Sequence, residues 1–88
     1  MRIEAVRIKK QTKEKIETKH SITLDEIEKV LLDDKPKFRK VKDCYMVLGI
    51  YDRYLTVFFN YNEKLKEAEI ITAYPSSKWQ IKLYKKMK

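Results

Sequence analysis

The chain has 88 residues, and its 21 Lys and Arg against 13 Asp and Glu give a formal net charge of +8. A chain this short buries only about 60–65% of the surface it exposes when unfolded, so we expect a single domain, residues 1–88, with one modest core. One Cys and one His exclude a Cys/His zinc cluster and an internal disulfide. No stretch reaches the roughly 18 apolar residues of a membrane span, and the N-terminus lacks the apolar stretch of a secretory signal, so we expect neither. We therefore expect a soluble, cytoplasmic protein with a polyanionic partner and no membrane association.

The N-terminal segment predicts an edge strand followed by a solvated helix. Apolar and charged residues alternate loosely from Met1 to Lys10, as in a short strand at the edge of a sheet. Thr12 is a candidate N-cap for a charged helix over Lys13 to Lys19, in which Ile16 is the only large apolar residue. Such a helix would pack through little surface area.

The second helix has a clear start signal. Thr23 stands three residues before Glu26, the spacing of a capping box, and Ile22 lies where a hydrophobic staple would place it. We expect the helix to end at Asp33 to Pro36. Four apolar residues recur at helical spacing and should cover the sheet: Leu24, Ile27, Val30 and Leu31.

Four further segments predict strands. Lys37 to Val41 is a strongly basic strand, and three segments rich in Val, Ile, Thr, Tyr and Phe follow it with short polar breaks, the pattern of an antiparallel meander. These three segments are Cys44 to Tyr51, Tyr54 to Tyr61 and Glu67 to Tyr74. Gly49 lies inside the first of them, where it indicates a bulge or a close approach of another backbone.

The central strand has two different faces. One face is predicted to lie under the helices and carries Leu55, Val57, Phe59 and Tyr61; the other carries Tyr54, Thr56, Phe58 and Asn60. Pro75 is not expected to continue the strand pairing after Tyr74, and Ser76 or Ser77 can cap a final helix through Lys88. We expect that helix to pack through Trp79, Leu83, Tyr84 and Met87.

Basic and aromatic residues together favour single-stranded nucleic acid, in which cations bind phosphates and rings stack on bases. The candidate stacking residues, each of which could instead be core or rim packing, are Tyr45, Tyr51, Tyr54, Phe58, Tyr74 and Tyr84. RNA cleavage needs only a base, a cation for the phosphorane and a proton donor. Arg53 could be that cation or a solvated turn residue, and His20 could transfer protons or close the corner between the helices.

Several short segments, in their order along the chain, resemble the BrnT-type toxins of bacterial and archaeal toxin-antitoxin modules. They are Lys19-His20-Ser21-Ile22-Thr23 with Glu26, Glu28 and Val30; Gly49; Arg53-Tyr54-Leu55-Thr56-Val57; Ile70-Ile71-Thr72-Ala73; and a C-terminal helix with Tyr84. The resemblance implies an α+β, RelE-like fold, with N-terminal helices packed on an antiparallel sheet of four to five strands and a C-terminal helix. It also implies a metal-independent endoribonuclease without cofactor, neutralised by a small DNA-binding antitoxin.

The resemblance extends to Arg53 and His20, which match an arginine and a histidine of the family, but fails at a third position. Where the family usually reads Ser-Ala-Arg, this chain reads Thr72-Ala73-Tyr74. Either Tyr74 acts in stacking or proton transfer, or a lysine such as Lys78 or Lys82 supplies the charge, or the nuclease is weakened.

We therefore predict an endoribonuclease toxin with Arg53, Tyr74 and His20 as catalytic candidates. The residues predicted to bind the nucleic acid are Lys78, Lys82, Arg39 and Lys40. One alternative is a noncatalytic RNA- or DNA-binding module on the same fold. Another is a basic protein whose groove holds an acidic partner chain.

Overall fold

A computed structural model describes residues 2–32, 37–51 and 53–86. The elements within these ranges are β1 (Ala5–Arg7), α1 (Lys10–His20), α2 (Leu24–Leu31), β2 (Lys37–Val41), β3 (Cys44–Tyr51), β4 (Arg53–Asn62), β5 (Glu67–Pro75) and α3 (Lys78–Lys86). The strands form one sheet in the order β1-β5-β4-β3-β2. Its pairs are antiparallel except β1 with β5, which run parallel, so the expected purely antiparallel sheet is corrected at one edge.

The capping box of α2 is confirmed. The Thr23 hydroxyl accepts a hydrogen bond from the backbone N–H of Glu26, whose carboxylate accepts one from the N–H of Thr23. The start of α1 differs from the prediction, because the helix begins at Lys10 and Thr12 lies inside it. The predicted end of the second helix at Asp33 to Pro36 lies outside the described residues.

The two faces of the sheet carry different sets of side chains. The α1/α2 face is packed under α1 and α2 and carries Val47, Leu55, Val57, Phe59, Ala68, Ile70 and Ala73. The α3 face is the opposite side and carries Met46, Leu48, Thr56, Phe58 and Tyr74. Side chains alternate along a strand, so the side chains of β4 divide between the two faces. The predicted division is confirmed, because Leu55, Val57 and Phe59 are fully buried under the helices.

Gly49 marks a close approach of α2. A methyl group added at Gly49 would lie 2.6 Å from Cγ1 of Val30, so a side chain there would collide with the helix. The bulge lies elsewhere: Phe58 pairs with Thr72 and Phe59 with Ile70, which leaves Ile71 as the extra residue of β5. The single glycine therefore allows tight packing of helix on sheet.

The C-terminal part of the chain requires two corrections. Pro75 still belongs to β5, where it pairs with Leu55 as the last residue of the strand. Trp79 was expected in the core but is 60% exposed, whereas the residue of α3 that is buried is Gln80. The helix is turned so that Gln80 and Tyr84 contact the sheet: Tyr84 packs on the ring of Tyr54 and beneath the ammonium of Lys37. Met87 lies outside the described residues.

None of the helices in the described ranges is long and apolar enough to cross a membrane.

Candidate active site and nucleic-acid interface

The C-terminal end of α1 forms a corner that Arg53 and Tyr74 each contact. Helix α1 ends at His20, and the chain reverses at Ser21, which has a left-handed backbone conformation. Arg53 begins β4 beneath this reversal, and its Nη2 donates a hydrogen bond of 2.9 Å to the carbonyl of Ser21. On the other side of the corner, the rings of His20 and Tyr74 lie 6.2 Å apart between centroids. Tyr74 and Arg53 thus contact two successive residues, His20 and Ser21, and we call this place the α1 corner.

Arg53 is held by a carboxylate as well as a carbonyl. Its Nη2 lies 3.4 Å from Oε2 of Glu26, and 37% of the arginine side chain remains exposed. Glu26 is itself fixed by the capping box of α2. The guanidinium is therefore positioned by two groups at the α1–α2 junction, and part of its charge is compensated there. Its exposed part can still contact an anion.

Tyr74 is positioned by a buried network of hydrogen bonds that starts at Gln80. Oε1 of Gln80 accepts bonds from the backbone N–H of Ser77 at 2.9 Å and from the hydroxyl of Thr56 at 3.1 Å. Since an N–H can only donate, the amide orientation is fixed, and Nε2 of Gln80 donates to the Tyr74 hydroxyl at 2.9 Å. Both Thr56 and Gln80 are almost completely buried.

The directions of the bonds determine where two protons point. The only hydroxyl proton of Thr56 is used toward Gln80, so in the 2.8 Å contact between Thr56 and Ser76 the serine is the donor. The oxygen of Tyr74 is an acceptor from Gln80, which leaves its own proton free to donate away from the network. Tyr74 is consequently presented at the corner as a hydrogen-bond or proton donor.

A groove runs beside the corner on the α3 face. It has a volume of about 430 Å³ and is lined by Arg39, Val41, Met46, Phe58, Trp79 and Leu83. A second hollow of about 330 Å³ shares Arg39, Trp79 and Leu83 with it and adds Lys82 and Lys86. We call the two together the α3 groove. Phe58 connects it to the corner, since its ring stacks on that of Tyr74 with centroids 6.0 Å apart.

The four residues predicted to bind nucleic acid do not all lie on one surface. Arg39 and Lys82 line the α3 groove together. Lys78 is exposed one helical turn before Lys82. Lys40 is exposed on the other side of β2, the side from which Phe38 packs against Phe59. Residues adjacent on a strand point to opposite faces, so the structure separates Lys40 from the other three.

Gln80 and Thr56 were missed by sequence reasoning. Ser77 and Gln80 have the spacing of a capping box, and the side chain of Gln80 does accept the backbone N–H of Ser77 at the start of α3. That spacing could have identified Gln80. No comparable signal marks Thr56, because a threonine on a strand fits the β propensity equally well without any partner.

Of the six aromatic residues considered for base stacking, three have packing roles. Tyr45 stacks on Phe59, and Tyr54 packs edge-on against Tyr84. The side chain of Tyr51 lies outside the described residues. Phe58 and Tyr74 are half-buried and stack on one another between the groove and the corner. These two rings are the candidates that the structure leaves next to the basic surface.

No protein-family model matches the sequence, and no curated protein matches it. The fold, in contrast, is similar to that in the 1.1 Å crystal structure of the Brucella abortus ribonuclease toxin BrnT, with a TM-score of 0.67. The superposition covers 84% of this chain and 97% of that chain at 16% sequence identity. The α+β fold expected from the resemblance is confirmed, and this chain has the fold of a BrnT-type toxin.

Proposed function

We propose that this protein is an endoribonuclease toxin of a type II toxin-antitoxin module, which cleaves RNA without a metal or cofactor. The observation that carries the proposal is that Tyr74 contacts His20 and Arg53 bonds the next residue, Ser21, in a fold shared with a ribonuclease toxin. Arginine, imidazole and phenol supply a cation, a proton acceptor and a proton donor. These are the groups that RNA cleavage requires.

In the proposed reaction, the 2′-oxygen of a ribose attacks the neighbouring phosphorus and the 5′-oxygen of the next nucleotide leaves. His20 accepts the proton of the 2′-hydroxyl, and Tyr74 donates a proton to the leaving oxygen. The bond from Gln80 supports this role for Tyr74, since it leaves the phenolic proton free. The exposed part of Arg53 stabilises the negative charge that develops on the phosphorane. The products are a 2′,3′-cyclic phosphate and a free 5′-hydroxyl.

The RNA backbone is held by the cations of the α3 groove. Arg39 and Lys82 line it, and Lys78 extends the basic surface along the exposed side of α3. Lys40 points away from these residues, so we assign it no role in binding the substrate. A small DNA-binding antitoxin is proposed as the neutralising partner, supported by the fold and by the net charge of +8, which favours an acidic partner segment.

The experiment that tests the proposal measures RNA decay with the purified protein and variants at the corner. Arg53→Ala should lower the cleavage rate by about two to three decades, the effect of removing one donor that stabilises transition-state charge. Tyr74→Phe should also lower it, because phenylalanine keeps the ring and lacks the proton. Tyr61→Phe is the matched control, since the Tyr61 hydroxyl bonds the carbonyl of Arg2, away from the corner.

Tyr74→Arg tests the role of the tyrosine that stands where the resemblance implies an arginine. If Tyr74 has its own catalytic role, the substitution lowers cleavage; if the chain is a degraded nuclease, arginine restores charge and raises cleavage or toxicity. Absence of cleavage by the wild type and every variant, with the fold intact and RNA bound, would contradict the enzyme.

One observation favours a second candidate, a noncatalytic RNA- or DNA-binding module. Glu26 compensates part of the charge of Arg53, and a tyrosine stands where the resemblance implies another arginine, so the corner has less positive charge than a nuclease of this type would use. Such a module would bind RNA with strong salt dependence and leave it intact. Binding and cleavage assays on the same RNA separate the two functions.

A further inference from the structure

We propose that the α3 groove is a nucleobase subsite, in which one unstacked base of a single-stranded RNA lies on the indole of Trp79 while Arg39 and Lys82 bind the flanking phosphates. The inference rests on the proposed function in taking RNA as the ligand. It adds a position at which the substrate is held, away from the reacting phosphate.

Trp79 is the first observation behind the proposal. Trp79 is 60% exposed, although tryptophan is the largest residue of a chain with a small core. It forms one wall of the groove, whose remaining apolar lining comes from Val41, Met46, Phe58 and Leu83. A flat, apolar ring fits such a space. Every base has a π-face, so stacking on an exposed aromatic residue is a recurrent way to hold single strands without reading their sequence.

The charge of the groove is the second observation. The described residues that line its two hollows include Arg39, Lys82 and Lys86 and no carboxylate. Arginine presents a planar fork that matches phosphate oxygens, and lysine adds a mobile point charge. An apolar centre with cations beside it complements a nucleotide, which has an apolar ring and an anionic backbone.

Continuity with the α1 corner is the third observation, and it favours RNA over an acidic peptide. Phe58 lines the groove and also stacks on Tyr74 with an angle of 28° between the ring planes. Tyr74 in turn contacts the ring of His20. A strand with one base on Trp79 therefore continues along a row of aromatic rings to the residues proposed to cleave it. A peptide in the groove would not explain why the rings lead to that corner.

The experiment measures binding of a short single-stranded RNA whose 2′-oxygens are methylated, so that the 2′-oxygen cannot attack. Trp79 is the only tryptophan in the sequence, so quenching of its fluorescence reports directly on the groove. Anisotropy of a labelled RNA gives Kd for the variants. Trp79→Ala should weaken binding by about 5- to 150-fold, the range for loss of one stacked base. Trp79→Phe, which retains a ring, should weaken it less.

Leu65→Ala is the matched control, because Leu65 is 61% exposed and lies in the turn between β4 and β5. It should leave Kd unchanged. A second series carries one abasic nucleotide at each position in turn. In the wild type, one abasic position should weaken binding, and that loss should disappear in Trp79→Ala because base and indole no longer contact each other.

The subsite would be overturned by a Kd for Trp79→Ala within twofold of the wild type, or by abasic losses that are the same in both proteins. A Glu- and Leu-rich peptide that binds with the same dependence on Trp79, while the RNA does not bind, would also overturn it and assign the groove to a protein partner. The methylated RNA is bound but not cut. Trp79-dependent binding without cleavage of unmodified RNA would therefore contradict the nuclease alone, and cleavage without Trp79 dependence would contradict the subsite alone.

Discussion

The two faces of the sheet are both covered by helices, but they are closed in different ways. On the α1/α2 face, two helices bury a continuous apolar cluster that includes Ile16, Ile27 and Phe59. On the α3 face, one short helix is fixed by Gln80 at its start and Tyr84 near its end, and the space beside it remains open as a groove. Coverage by a helix therefore does not by itself make a core.

The difference also separates stability from function. The buried polar residues among those described are Thr56 and Gln80, and both belong to the α3 side. A buried polar network restricts orientation, because each donor requires a particular acceptor, whereas apolar packing tolerates many arrangements. We infer that the α1/α2 face supplies most of the folding free energy and that the α3 face positions Tyr74 and the groove.

The largest expected effect lies on the α1/α2 face. Phe59 is fully buried and contacts the rings of Phe38 and Tyr45, so Phe59→Ala should lower the free energy of unfolding by about 3–5 kcal/mol. Trp79→Ala should change it by no more than about 0.5 kcal/mol, since most of that side chain is already in water. Urea denaturation measures the free energy of unfolding of both variants. Similar losses in both would show that the faces do not differ as described.

The α1/α2 face could be predicted from the sequence because spacing alone determines it. The alternation of Leu55, Val57 and Phe59 and the capping box at Thr23 each follow from local rules, and tertiary structure did not override them. The parallel pairing of β1 could not be predicted, since a strand of three residues has too little pattern to specify a direction.

The α3 side was predicted less well for a physical reason. Apolar spacing on α3 placed Trp79 in the core, but a polar residue, Gln80, is buried instead because the start of the helix and Thr56 both need an acceptor. Hydrophobic periodicity does not show which buried donors need a hydrogen-bond acceptor. At the α1 corner, Arg53 and His20 were candidates both from their place in the sequence and from the family resemblance, whereas the contact of His20 with Tyr74 came only from the structure.

The next effect concerns the buried network. Gln80→Met keeps an unbranched side chain of similar size but removes the acceptor for the Thr56 hydroxyl, so it should cost about 1–3 kcal/mol of stability. Replacing both partners with apolar groups removes the unsatisfied donor, and Gln80→Met combined with Thr56→Val should therefore lose less than the sum of the single changes. Chemical denaturation gives all three values. Strictly additive losses would contradict a coupled network.

A smaller effect is expected where α2 approaches β3. Gly49→Ala adds a methyl group that overlaps Val30, and overpacking of this kind costs roughly 1–3 kcal/mol. The loss is offset by about 0.4–1 kcal/mol, because alanine restricts the unfolded chain. The net destabilisation should be about 1 kcal/mol. It should vanish when Gly49→Ala is made in a Val30→Ala background, and an equal loss in both backgrounds would show that the helix is not the obstacle.

The smallest change in stability is expected at Glu26, and it tests whether the α1/α2 face also contributes to binding. Glu26→Gln keeps the oxygen that accepts the N–H of Thr23, so the capping box survives while the ion pair with Arg53 is lost. Partly exposed pairs are worth about 0–1 kcal/mol, so stability should fall by no more than that. Affinity for RNA should nevertheless rise, because the charge of Arg53 is no longer compensated. If Arg53 then neutralises one more phosphate, the plot of log Kd against log salt steepens by about 0.7.

Asp25→Asn is the matched control, since it removes the same charge from the same exposed turn of α2. Equal shifts in both variants would mean that only net charge matters and that Arg53 does not contact the RNA.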